Sequence, residues 1–162
     1  MRWRMSWRCD PEARIIADRH YNRQSIGAPN FAPPGRCLVL KALSPARALW
    51  VTSWPFAEYV KHAWPGAWVC SAFRNEGAGL SSELIREAVA VTRWRWPEIP
   101  TLGMITFVDT RHVQSANPGY CYKRAGFEAC GMTKGGLHAL QLLPGAMPDP
   151  LEPIGCQQLL FG

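Results

Sequence analysis

The sequence predicts one α/β domain of layered, mixed architecture. Three observations predict it. Apolar and polar residues alternate at the start, with Trp3, Met5 and Trp7 on one side and Arg2, Arg4 and Arg8 on the other, the period of a half-buried strand. A helical stripe of Leu80, Leu84, Ile85, Ala88 and Val89 follows a strand-like run and a glycine turn. Strand-like and helical segments then interleave along the chain, which places helices against a sheet.

The elements read in order as follows. The first strand covers residues 2–8. A short helix covers 11–20, with Asp10 as N-cap and Pro11 at the first helical position. Residues 21–35 are rich in Asn, Gly and Pro and form a long loop, a feature often functional in compact domains. Strands follow at 37–42 and 48–53, an irregular stretch at 54–65, and a strand at 67–73. A helix spans 80–92, Pro97 and Pro100 bound a turn, and 102–108 is a strand. A short helix at 118–125 is capped by Asn117 and stopped by Gly126. Residues 127–134 and 137–142 form a hairpin around Gly135 and Gly136. We expect one domain over 1–143, with a Pro-rich tail, 144–162, packed on it.

Composition bounds the function. The chain has 162 residues with 18 Lys and Arg against 12 Asp and Glu, a net charge of +6. That balance permits an acidic partner, and it equally serves solubility. Arg-Trp alternation at 93–96 fits either base binding or a helix end with buried Trp faces. No apolar run approaches the ~20 residues that cross a bilayer, and no signal-peptide stretch opens the chain, so a soluble cytoplasmic protein is expected. The six cysteines show no C-x-x-C pair, which argues for reduced core thiols over a zinc ribbon or a disulfide framework.

The chemistry-bearing segment is the turn between the strand at 67–73 and the helix after it. Arg74-Asn75-Glu76-Gly77-Ala78-Gly79 runs into Leu80-Ser81-Ser82. Gly77 and Gly79 permit close backbone approach, and a helix N-terminus offers N–H groups and a positive dipole end to a pyrophosphate. Arg74, Asn75, Ser81 and Ser82 are the accompanying cofactor-binding candidates. The spacing is neither a Rossmann nor a Walker fingerprint, and an ordinary strand-to-helix turn is the alternative.

A second segment, Asn117-Pro118-Gly119-Tyr120-Cys121-Tyr122-Lys123-Arg124-Ala125-Gly126-Phe127, resembles the second signature of the GNAT acyltransferases. The Arg-x-x-Gly-x-Gly turn resembles that superfamily's acyl-CoA pyrophosphate loop. The two motifs together span about residues 67–134. The resemblance implies a mixed, mostly antiparallel sheet with a splayed cofactor cleft, and acetyl-CoA as donor. It implies Tyr122 as a general acid near the cofactor sulfur and Arg74 as a pyrophosphate contact.

A narrower set of residues lies outside those motifs: Asp18-Arg19-His20-Tyr21-Asn22-Arg23, Pro33-Pro34-Gly35-Arg36, Ser81-Ser82-Glu83 and Thr106-Phe107-Val108-Asp109. With these included, residues 15–142 resemble the Mom family of bacteriophage DNA-modification proteins. That resemblance implies conversion of adenine N6 in double-stranded DNA to a carbamoylmethyl form, which protects phage DNA from restriction in the host cytoplasm. It nominates His20, Tyr21 and Asp109 as catalytic beside Tyr122. The target base must be flipped out of the duplex, with Tyr21, Trp54 and Trp64 as stacking platforms and Arg19, Arg23, Arg36 and Lys61 as phosphate contacts. No metal is assigned, because no ligand spacing marks a site, and the oligomeric state is open.

Each assignment has a plainer alternative. His20 ends a helix, Asp109 begins a turn, Tyr122 fills the core beside Phe127, and Arg74 pairs with Glu76. Should Tyr122 be buried against the sheet, Tyr120 inherits its role. Two other functions fit the same residues: a GNAT N-acetyltransferase acting on a small amine or protein N-terminus, and a non-catalytic DNA-binding protein on this fold.

Overall fold

A computed structural model of the chain describes residues 1–111, 117 and 119–155. The elements are β1 (Trp3–Met5), α1 (Pro11–Ala17), β2 (Arg36–Ala42), β3 (Ala48–Trp54), β4 (Trp68–Asn75), α2 (Ser81–Arg95), β5 (Met104–Val108), α3 (Tyr120–Arg124), β6 (Glu128–Met132) and β7 (His138–Leu142). The strands form one seven-stranded open sheet in the order β1-β2-β3-β4-β5-β7-β6. All neighbours are antiparallel except β4 and β5, which run parallel.

Both faces of the sheet are covered, and the sequence shows why. Along β2, Val39 faces α1 while Leu38 and Leu40 face α2, so the strand reads as a continuous apolar run. On the first face, Ala13, Ile16 and Ala17 of α1 pack on Val39, Leu49 and Val51. Asp10 starts this helix by accepting a bond from the Glu12 N–H (3.0 Å). On the second face, Leu84, Ile85, Ala88, Val89 and Val91 of α2 pack against Trp50, Trp68, Met104 and Leu140.

This second core holds a polar chain. The Trp50 indole N–H donates to Thr52 Oγ1 (2.6 Å), which lies 3.2 Å from Thr92 Oγ1, and the Thr92 hydroxyl donates to the Ala88 carbonyl (2.8 Å). All three side chains are buried. Thr52→Val keeps the shape and orphans the indole N–H, so we expect a loss of about 2 kcal/mol. A thermal melt reads this as a fall of roughly 4–8 °C.

Four expected elements differ. The first strand ends at Met5, not residue 8, because Ser6 Oγ donates to Asp10 Oδ2 (2.7 Å) and turns the chain into the α1 cap. Trp3 is buried with its indole N–H on the Leu84 carbonyl (2.8 Å), whereas Trp7 is 55% exposed. The helix α1 stops at Ala17 rather than 20. The cap of α3 is Gly119 at φ +73°, not Asn117, whose side chain instead accepts from Lys123 Nζ (2.7 Å). A Cβ at Gly119 would lie 2.3 Å from Leu140 Cδ1, so glycine is required there by space as well as by φ. The β6 strand covers Glu128–Met132 rather than 127–134 and bulges at Cys130, where pairing to β7 shifts register between Ala129 and Gly131.

After the short 3-10 turn Pro144–Ala146, the chain runs along α2 to the β1 edge. Leu151 N–H bonds the Ala90 carbonyl (3.2 Å) and Ile154 N–H the Trp3 carbonyl (2.9 Å). Residues 156–162, Cys156 among them, and Pro118 lie outside the described residues. The other five cysteines are free thiols. No described helix is long and apolar enough to cross a membrane.

Candidate active site

Strands β4 and β5 are paired only at Trp68–Met104, Val69–Ile105 and Cys70–Thr106. Beyond Cys70, β4 stays with β3 as far as Asn75, while β5 stays with β7 as far as Val108. The two strands part, and the sheet splays between them. A register shift at Ser71 helps β4 bend away, since Val51 pairs with Ala72 but Thr52 with Cys70. A cleft of ≈ 530 Å³ opens at the split, lined among others by His20, Tyr21, Phe73, Arg74, Asn75, Ser81 and Tyr122.

The glycine loop meets the cleft at its two ends, through Asn75 and Ser81, while Gly77, Gly79 and Ser82 do not line it. Asn75 organises the loop: its Oδ1 accepts from the N–H groups of Gly77 (3.1 Å) and Ala78 (2.9 Å), and its Nδ2 donates to the Gly79 carbonyl (2.7 Å) and Ser81 Oγ (2.9 Å). Asn75 therefore shapes the loop rather than offering free donors, and it takes the Gly77 N–H away from any ligand. Leu80, at the N-cap of α2, makes no side-chain cap bond. The first-turn N–H groups, those of Ser81 and Ser82 included, are thus not closed off by a cap and carry the helix's positive end.

Four arginines crowd this loop. Arg74 Nε donates to Glu76 Oε2 (2.7 Å), the plainer pairing foreseen for it. Arg19, read as a phosphate contact to DNA, also pairs with Glu76. Arg47, which sequence reasoning missed, donates Nε to the Glu76 carbonyl (2.8 Å), and its Nη2 lies 2.7 Å from where a Gly77 Cβ would stand. No local pattern marks Arg47. Only the β3–β4 register, with Ala48 opposite Asn75, brings it there. Arg2 lies as closely over Gly79 and pairs with Glu83 and Glu87.

Tyr122 lines the cleft from α3. Its ring packs edge-on to Phe73 (6.2 Å) and Phe127 (5.4 Å), and its hydroxyl is 3.7 Å from Cys70 Sγ. Burial pushes the phenol well above its ordinary range, so it stays protonated and can only act as an acid. Tyr120 lines the same cleft and is 57% exposed. The Cys70 thiol is pushed up to about 12 by burial, which leaves it protonated and unsuited to attack.

His20 and Tyr21 stack at 4.5 Å. His20 Nδ1 accepts from the Asn22 N–H (3.2 Å). Burial, with Arg74 nearby, holds this imidazole below the ordinary histidine range. The sign follows: the unfolded chain takes up the proton first, so His20 lowers stability as pH falls through the ordinary value. Between about pH 7.5 and about pH 5.5 the melting temperature of the wild type should fall more than that of His20→Gln.

A second cavity, ≈ 480 Å³, includes Tyr21, Asn22, Ser71, Phe107 and Asp109 in its lining. Tyr21 and Phe107 line both cavities. Asp109 is buried and held by Arg111, which donates Nε to Oδ1 (3.0 Å) and Nη2 to Oδ2 (2.9 Å). Among the described residues no group of three His, Cys, Asp or Glu is placed to hold a metal.

The residues nominated for DNA do not form one face. The Arg23 side chain is only 8% exposed, bonding Asp18 Oδ1 (2.9 Å) and the Ala28 carbonyl (2.7 Å). Trp54 is packed against Trp68 and Trp96, with the Arg36 guanidinium 4.2 Å from its ring centre, so it is not a free stacking platform. Trp64 packs on His62 and Phe107. Arg36 and Lys61 do share a groove of ≈ 590 Å³ with the exposed Phe56 and Tyr59.

No family model matches the sequence, and no curated protein does. Among solved structures, the chain is similar to an aminoglycoside acetyltransferase, AAC(6')-Ib, in complex with coenzyme A. The identity is 20% and the TM-score 0.48, over 68% of this chain and 68% of that one. The structure of AAC(6')-Ib with ribostamycin and coenzyme A gives 20% and 0.48 over 68% of this chain and 65% of that one. Likeness at this level assigns no family, substrate or residue to the chain.

Proposed function

We propose that the chain is a GNAT-like N-acyltransferase that takes its acyl group from acyl-CoA, acetyl-CoA foremost, and passes it to an amine. The observation that carries this reading is the split between β4 and β5, into which an Asn75-locked glycine loop and the N-terminus of α2 open. Bound acyl-CoA supplies an activated thioester. The chain's part is to hold and to move protons. The N–H groups of the first turn of α2 take the pyrophosphate. Arg74 and Arg47 flank it, Arg74 exchanging Glu76 for the ligand. The edge of β4 beyond Cys70, where β5 no longer pairs with it, offers its backbone to an extended amide chain. The protonated Tyr122 hydroxyl gives its proton to the departing sulfur, and the acceptor amine loses one to solvent or to Asp109 once Arg111 lets go. Thiol release from acetyl-CoA tests the reading, with small amines, peptide N-termini and DNA as acceptors. Acceptor-dependent release supports it; no release with any acceptor, in protein that does not bind CoA, overturns it.

One observation favours a nucleic-acid acceptor as a second reading. The groove holding Arg36, Lys61, Phe56 and Tyr59 is cationic and aromatic, a combination suited to bases and phosphates. Adenine modification of Mom type in DNA falls under this reading. Mass spectrometry of nucleosides from plasmid DNA of expressing cells decides it. A new deoxyadenosine derivative favours DNA, and an unchanged nucleoside profile leaves the small amine or peptide.

A further inference from the structure

We propose that residues 20–22 form a strap that holds the place of the donor's amide arm, and that donor binding displaces it and opens the way to the acceptor. This inference rests on the acyl-CoA reading above. Past Cys70 the edge of β4 has lost β5 as a partner, and an unpaired strand edge presents carbonyls that demand donors. In this protein the strap supplies one. Asn22 Nδ2 donates to the Ser71 carbonyl (2.9 Å), and His20 lines the cleft together with Phe73. Ser71 and Phe73 are two residues apart, the spacing at which one edge of a strand is met by a neighbour. Between these two side chains, Tyr21 lines one cavity with Phe73 of β4 and the other with Asp109, just past β5. The strap thus spans both parting strands, and Tyr21 stands where the two cavities meet.

The strap is short and its far anchor is firm. Asp18 Oδ1 accepts from Arg23 Nε (2.9 Å) and the Gly27 N–H (3.1 Å), which fixes the loop on the far side of Asn22. Within it, residues 20–22 belong to no helix or strand, and Tyr21 and Asn22 are exposed. Its bond to β4 comes from a side chain, that of Asn22. An extended ligand carrying an amide N–H group replaces it, so the exchange costs little. The consequence is an order of binding. Donor enters first and lifts Tyr21 from the split; acceptor then reaches the thioester from the side of Asp109.

Hydrogen exchange on the full chain, with CoA as the probe, tests the strap. CoA binding is verified separately by calorimetry. The expected result is saturable binding with exchange across residues 18–24 rising several-fold. Asn22→Ala and Asn22→Asp, each lacking the amide donor, should associate with CoA several-fold faster than wild type. If CoA binds while exchange over 18–24 is unchanged or falls, and neither variant alters association, the strap is overturned and the donor reading stands. If CoA gives no binding heat, both fall together.

Discussion

Tyr122→Phe is expected to lower turnover about 100-fold while leaving the affinity for CoA and the melting temperature near those of wild type. The ring accounts for the unchanged fold, since phenylalanine keeps the edge-on packing against Phe73 and Phe127. The hydroxyl accounts for the lost turnover. It is the phenol of a half-buried side chain, kept protonated by burial and set 3.7 Å from Cys70 Sγ. A thiolate leaving there has a proton within reach. Turnover equal to wild type would remove Tyr122 from proton transfer and leave the exposed Tyr120, on the same cleft, as the next acid to test.

Asn75→Ala should weaken CoA binding by a similar factor through a different route. One side chain makes four hydrogen bonds inside the loop, to Gly77, Ala78, Gly79 and Ser81. Their loss removes much of the order on which anion binding at α2 depends. Because the loop is at the surface, the expected signature is affinity lower by about 100-fold with only a modest fall in melting temperature. Equal CoA affinity in the variant would mean that the loop does not hold the pyrophosphate.

The layering was legible because it follows from local pattern. The apolar runs of β2 and β3, the stripe on α2 and the Asp10-Pro11 cap each report their own neighbourhood, and the structure repeats them with shifts at the ends. The misjudged ends have long-range causes. Ser6 bonding Asp10 ends β1 early, and the packing of Leu140 against Gly119 moves the cap of α3. The candidate site was legible as a glycine turn before a helix and a Tyr-bearing helix after it. Its electrostatics were not. Arg47 reaches the loop only through strand register, and Arg19 and Arg23, similar in sequence, have different fates because Glu76 and Asp18 claim them. Trp54 reads as an exposed aromatic in an irregular stretch, yet it ends β3 and packs against Trp68 and Trp96. The contact of Asn22 with β4 depends on a split in the sheet that no local pattern marks.

The most direct measurement is a calorimetric titration of CoA into the wild-type protein, with Gly79→Val beside it. Gly79 sits at φ +148°, and a Cβ there would stand 2.1 Å from Arg2 Nη1, so a branched side chain disturbs the loop just where it meets α2. The account predicts saturable one-site binding to wild type and its loss in the variant. Equal affinity in the two proteins, or no binding heat in wild type, would contradict it.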